Sequence, residues 1–188
     1  MSDELDFEQL RRARPAPGAP GILVAHLGAA PKPYVYVGRA MKGIPASPLG
    51  NAYKGDGAIE RFRAWLRDAY RADAAGRATL AQSEAVAELR RLVELFREEG
   101  HLTLACWCAT GPNPTDGPCH ADVIATAIIG IVAAAPQTVL VPGVGECCAH
   151  WDRETAEEGL GWHVSKDGKL LRVAASLKHA VLPMRRVA

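Results

Sequence analysis

The chain has 188 residues, of which 48% are hydrophobic and 23% charged, and its formal net charge is +1. This fits one soluble globular domain with some extension. The near-zero charge leaves no global field to draw it to nucleic acid or membrane, and no window holds the roughly 18 apolar residues of a membrane span.

The first stretch, MSDELDFEQLRRARPAPGAPG, is polar and charged, unlike a secretory signal. A cytoplasmic setting is expected, in which five cysteines stay reduced and serve as ligands, catalysts or core filler. The Pro/Gly tract breaks regular structure, so residues 1–20 read as a flexible arm, 21–143 as an α/β core domain and 144–188 as a C-terminal extension. GILVAHLG (21–28) and YVYVGR (34–39) are strand-like runs separated by the turn-forming AAPKP. The loop from Arg39 to Gly57 is long enough to be functional. From Ala58, Ile59, Phe62, Leu66 and Tyr70 recur at helical steps. A second amphipathic helix over 85–100 carries Val86, Leu89, Val93 and Phe96 on one face and stops at Gly100.

HLTLACWC (101–108) alternates like a strand, with Leu102, Leu104, Cys106 and Cys108 on one face. A loop over 109–118 and a helix from about Cys119 to Ala134 follow, then a strand over 137–143. GWHVSKDGKLLRVA (161–174) predicts a hairpin turning at Lys166-Asp167-Gly168-Lys169. Strands alternating with helices predict a single three-layer, Rossmann-like α/β domain with a mainly parallel sheet and a small C-terminal β extension. Ligands of such sheets bind beyond the carboxyl ends of the strands, which singles out the loops Arg39–Gly57 and Ala109–Pro118.

The second of these regions is the more distinctive. Cys106, Cys108, Cys119 and His120 follow a C-x-C-x10-C-H spacing. Thiolate plus imidazole is a usual zinc set, and three thiolates suit an iron–sulfur cluster. Against a rigid chelate stand the long intervening loop and the adjacency of Cys119 and His120, which project differently from a helix start. A thiol reading uses that same position: Cys119 at a helix N-terminus is favoured as thiolate, and His120 can act as acid or base beside it. The blander alternative makes Cys106 and Cys108 buried filler. In the glycine-rich loop, Arg39 is able to fork onto a phosphate or carboxylate, and Ser47, Gly50 and Asn51 form a turn able to cradle a polar ligand. Neither G-x-G-x-x-G nor a P-loop fingerprint is present.

YVYVGRAMKGIPASPLGNAYKG, the helix AIERFRAWLRDAY, LACWCA and CHADVIA together resemble the domain-of-unknown-function family 4326, over roughly residues 34–128. The resemblance implies that Gly38, Arg39, Ser47, Pro48, Gly50, Asn51, Cys106, Trp107, Cys108, Cys119 and His120 belong to one shared site. Two departures are visible: Ala52 follows Asn51 where the family has proline, and the segment between Cys108 and Cys119 is longer.

The resulting expectation is an enzyme acting on a small ligand, a nucleotide or nucleoside. Gly38, Arg39, Ser47, Gly50, Asn51 and Trp107 would bind it. Cys119 and His120 would do the chemistry, hydrolysis or transfer at a glycosidic bond, assisted by Asp122 or Asp116. The alternative is a metal-stabilised binding or redox-sensing module, with zinc or an iron–sulfur cluster on Cys106, Cys108, Cys119 and His120. A third reading is an accessory protein that binds a partner through its C-terminal hairpin. Cys147, Cys148 and His150 in GVGECCAH could extend the metal site, line a pocket of their own, or be two packed thiols at a turn.

Overall fold

The computed structural model describes residues 13–16, 19–108, 119–142, 144–152 and 161–174. Its first sheet has the order β1-β2-β4-β3. β2 (Ala19–His26), the short β3 (Val35–Tyr36) and β4 (Leu102–Cys106) run parallel with β4 in the middle, and β1 (Ala13–Ala16) lies antiparallel along the outer edge of β2. The three parallel strands therefore end on one side, at His26, Tyr36 and Cys106.

β1 corrects the expectation of an arm reaching to residue 20. Proline breaks a central strand but is tolerated at a sheet edge, and Pro15 sits in this edge strand next to the buried Ala16. The remainder of the expected arm, residues 1–12 and 17–18, lies outside the described residues, as does the 109–118 loop.

Among the described residues, three α-helices cover the sheet. α1 (Ala58–Ala74) presents Phe62, Leu66 and Ala69 inward. α2 (Leu80–Glu99) starts earlier than its apolar periodicity indicates. Thr79 and Gln82 form a capping box there, and Gly100 closes the other end in the left-handed conformation. α3 (His120–Ala134) carries no charge after Asp122 and buries residues along most of its length, as a helix apolar nearly all round must. Ile22, Val24, Leu102, Leu104 and Cys106, alternating along β2 and β4, pack with Phe62, Leu89, Phe96, Ile124 and Ile128 into one core. Each large side chain fully buried there contributes roughly 1.5–3 kcal/mol.

A second sheet is an antiparallel meander of β5 (Gln137–Val141), β6 (Gly145–Trp151), β7 (Trp162–Lys166) and β8 (Lys169–Ala174). Val139, Val141, Cys147, Ala149, Trp151 and Trp162 face the shared core, where Trp151 meets Phe96 edge to face. The turn between β7 and β8 falls at Asp167 and Gly168, both with positive φ, as the Asp-Gly pair predicts.

The fold is thus α/β but not a Rossmann-like parallel sheet: one sheet is mixed and the other antiparallel. The 137–143 run leaves the parallel strands and opens the meander instead. Its burial alternates, with Thr138 and Leu140 exposed and Val139 and Val141 buried, the pattern of a half-solvated antiparallel strand. Among the described residues, no helix is long and apolar enough to cross a membrane.

Gly21 shows how tightly β2 meets the end of α2. Its φ is +81°, and a Cβ there would lie 2.8 Å from the Gly100 carbonyl oxygen and 3.1 Å from the Phe96 ring. Gly21→Ala should therefore cost more than the ~1–2 kcal/mol of a left-handed non-glycine residue. Gly76→Ala, at φ +65° with nothing within 4 Å, should cost only that conformational amount. Urea unfolding midpoints at unchanged slope compare the two.

Candidate metal centre and adjoining pocket

β4 delivers Cys106 to the ligand end of the sheet, and Cys108 follows two residues on. Cys119 is the N-cap of α3, a position that normally holds Ser, Thr, Asp or Asn. Its Sγ accepts from the Ala121 N–H at 3.4 Å, and its own N–H donates to Asp122 Oδ2 at 2.7 Å, closing a capping box. The cap turns the sulfur back over the helix start. His120, already helical, swings its ring to the same point. The passage from extended backbone at Cys119 to helix at His120 brings the two side chains together, so their adjacency is no obstacle to shared coordination. Sγ of Cys119 and Nδ1 of His120 are 3.9 Å apart.

The His120 ring is held on both sides. Nε2 lies 2.7 Å from the Val37 carbonyl oxygen, which only accepts, so Nε2 carries the proton and donates. In the neutral ring Nδ1 then keeps its lone pair, and it lies 2.9 Å from Cys108 Sγ. Phe62 packs its ring edge-on against the imidazole.

Cys106 lies 2.9 Å from Cys119 and 3.4 Å from Cys108, and Cys108 lies 3.0 Å from Cys119. None of the three is in a disulfide. Hydrogen bonds from Cys106 and Cys119, with a contribution from His120, hold the Cys108 thiol well below its ordinary range against the cost of burial. The same contacts act oppositely on the donors. The hydrogen bond to Cys108 first, and burial after it, push Cys106 up to about 12. Hydrogen bonds to Cys106 and Cys108, followed by burial, push Cys119 up as well. Burial and mutual contact thus oppose joint ionisation of the three thiols. A dication supplies the charge that lets all three ionise. The four donor atoms lie within 4.8 Å of one another, the size of a single ion's coordination shell: tetrahedral zinc–thiolate bonds of ~2.3 Å set sulfurs ~3.8 Å apart. The residues therefore fit a metal ion.

Beside the cluster opens a cavity of about 670 Å³, floored by Cys108 and His120 and walled by Tyr36, Gly38, Arg39, Asn51, Tyr53, Lys54 and Trp107. Trp107 is 58% exposed at its mouth and packs on His26 at 4.6 Å. Of the residues singled out in the sequence, Gly38, Arg39, Asn51, Trp107, Cys108 and His120 line this cavity. Ser47, Gly50, Cys106, Cys119 and Asp122 do not. Asp116 lies outside the described residues.

The S-P-L-G-N segment folds the loop that forms the wall. The Ser47 N–H donates to the Gly38 carbonyl at 2.9 Å, Ser47 Oγ accepts from the Leu49 N–H at 3.2 Å, and the Gly50 N–H donates to the Ser47 carbonyl at 2.8 Å. Asn51 is buried; its Oδ1 accepts from the Tyr53 N–H at 2.9 Å and its Nδ2 donates to the Ala58 carbonyl at 3.4 Å. Sequence reasoning passed over Tyr36, Tyr53 and Lys54, and with them Arg61. The Arg61 guanidinium donates to the Lys54 carbonyl at 2.7 Å and sits over the Tyr53 ring, fixing that edge of the pocket. Arg61 falls on the polar face of α1, and the only sequence signal for its role is its nearness to the loop.

Cys147, Cys148 and His150 stand on β6, apart from this cluster. Cys147 is buried, Cys148 is exposed, and His150 meets the His163 ring across the β6–β7 pair at 5.2 Å.

The profile of the family described as Domain of unknown function (DUF4326) matches residues 25–130, more than half of the chain. The chain belongs to that family. The DUF4326 match runs from the end of β2 through most of α3, so β3, β4, the pocket loop and all four cluster residues lie inside it. No curated protein and no solved structure matches the chain.

Gly50 gives a direct test of the loop clamp. A Cβ there would lie 2.7 Å from the Gly38 carbonyl oxygen and 3.0 Å from that of Ser47. Gly50→Ala should destabilise by about 1–3 kcal/mol through overpacking. Ser47→Ala, which removes one side-chain hydrogen bond, should cost ~1 kcal/mol. Thermal melts of both variants check the order.

Proposed function

We propose that this DUF4326 chain is a zinc-binding protein whose Cys106, Cys108, Cys119 and His120 centre forms the floor of a pocket for a small anionic ligand of nucleotide type. The observation that carries the reading is the His120 ring, tied through Nε2 to a backbone carbonyl with Nδ1 turned into three thiols. That is how metal-ligating histidines are oriented by their outer partners. Three soft thiolates and an imidazole favour zinc among common ions. In an iron–sulfur cluster the thiolates sit on separate irons of a larger cage, whereas these four donors converge within 4.8 Å. A closed set of four protein donors is the structural type; here it would pin the end of β4 to the start of α3, and so fix the pocket floor.

The nucleotide part of the proposal rests on the cavity. About 670 Å³ is within the range of small-ligand sites. Arg39 and Lys54 offer positive charge, while Tyr36, Tyr53 and Trp107 offer aromatic faces. Catalysis at a glycosidic bond is the weaker reading. Cys119 and Asp122 are buried and bonded within the α3 cap, and the described lining residues include no carboxylate.

Protein purified without chelator should carry about one zinc per chain by elemental analysis. Cys106→Ser, Cys119→Ser and His120→Ala should each lower zinc content and melting temperature together, because metal binding is coupled to folding. A folded parent with no bound metal would sink the proposal. Zinc uptake at about pH 7.5 should release thiol protons from the metal-free chain, since Cys106 and Cys119 are held above their ordinary range there. Zinc uptake without proton release in a pH-stat titration would count against thiolate coordination.

A further inference from the structure

We infer that Cys108 is a nucleophile that accepts an alkyl group from an anionic electrophile seated in the pocket. The inference rests on the pocket proposed above and deepens it by naming the group that reacts there. Cys106 and Cys119 are buried; Cys108 is the exposed thiol of the cluster and the one that lines the cavity. A molecule filling the cavity meets its sulfur directly, beside His120 and between the walls that carry Arg39 and Lys54. Coordination keeps a cysteine sulfur as thiolate at neutral pH, the form in which it attacks.

The step balances without redox. The Cys108 sulfur forms a bond to the electrophilic carbon, the bond from that carbon to its leaving group breaks, and the leaving group departs with the electron pair. Cys108 ends as a thioether. Cys106, Cys119 and His120 remain as three donors of the centre. The lining also sets the class of electrophile. Two cationic side chains and, among the described residues, no carboxylate favour a donor whose body bears a phosphate or carboxylate. Trp107, largely exposed at the rim, and Tyr36 and Tyr53 in the wall supply faces for an aromatic portion.

The molecule contains its own control. Cys148 is also exposed, but it stands on the second sheet next to Glu146, away from the pocket. The full chain is first assayed for zinc, then treated in parallel with iodoacetate and iodoacetamide, and every cysteine is followed by peptide mass mapping against time. In the zinc-loaded protein Cys108 should be carboxymethylated while Cys106 and Cys119 stay unmodified. The iodoacetate-to-iodoacetamide rate ratio at Cys108 should exceed that at Cys148 by about tenfold, as expected of a charged cleft. Arg39→Ala combined with Lys54→Ala should bring the ratio at Cys108 down to that of Cys148 while zinc content holds. Equal ratios at the two cysteines in the parent, or alkylation of Cys106 and Cys119 alongside Cys108, would overturn the inference even with zinc in place. Absence of zinc would instead sink the metal reading, and the two failures are read from separate measurements on one sample.

Discussion

The hydrogen bond between His120 Nε2 and the Val37 carbonyl is the constraint on which the site depends. It joins the exit of β3 to the start of α3 across 83 residues of sequence. It also decides the chemistry of the ring, because a carbonyl accepts only and so fixes which nitrogen carries the proton. Val37 is itself held by its N–H to the Ala105 carbonyl at 2.8 Å, so the acceptor is as firmly placed as the strand pair. A backbone ladder thereby dictates the direction of an imidazole lone pair.

Around that ring the chain has assembled a charge problem. Two thiols at a strand end and one at a helix cap crowd into a largely buried space, where joint ionisation is unfavourable. The soft dication proposed for the centre would resolve this. The pocket then follows from the same placement: strand ends, the helix start and the loop after β3 meet on one side of the sheet. The glycine-rich loop contributes mainly architecture. Ser47, Gly50 and Asn51 place their hydrogen bonds on the backbone of the loop and the first residue of α1, and so support a wall bearing Arg39, Tyr53 and Lys54.

Much of this was legible in the residues. The helical steps of Phe62 and Leu66, the stop at Gly100 and the Asp-Gly hairpin all have local causes, and local causes survive folding. The gathering of Cys106, Cys108, Cys119 and His120 was legible as a cluster but not as a geometry. The capping role of Cys119, a residue seldom found there, decides where its sulfur points. The α/β class and the parallel strands were legible too, but alternation of strands and helices does not say which strands pair, so the antiparallel edge strand and the separate four-stranded meander were not. Thr138 and Leu140 on the solvent side of β5 held the correcting signal. Pro15 was read as a breaker because sequence does not say which strand will be an edge. Tyr53, Lys54 and Arg61 carry no motif, and their importance comes only from a loop folding back on a helix.

The two sheets also differ in how far along the chain their partners lie. Residue 22 sits beside residue 102 in the first sheet, whereas every strand of the meander pairs with its neighbour in sequence. Loop-closure entropy falls lightly on the meander and heavily on the parallel strands. As the ribosome releases the chain, β2 waits for β4 through the synthesis of two whole helices, and the cysteine cluster is complete only once α3 has begun. The half that carries the cysteine cluster therefore has the costlier closure, although its chain is made before the strands of the meander.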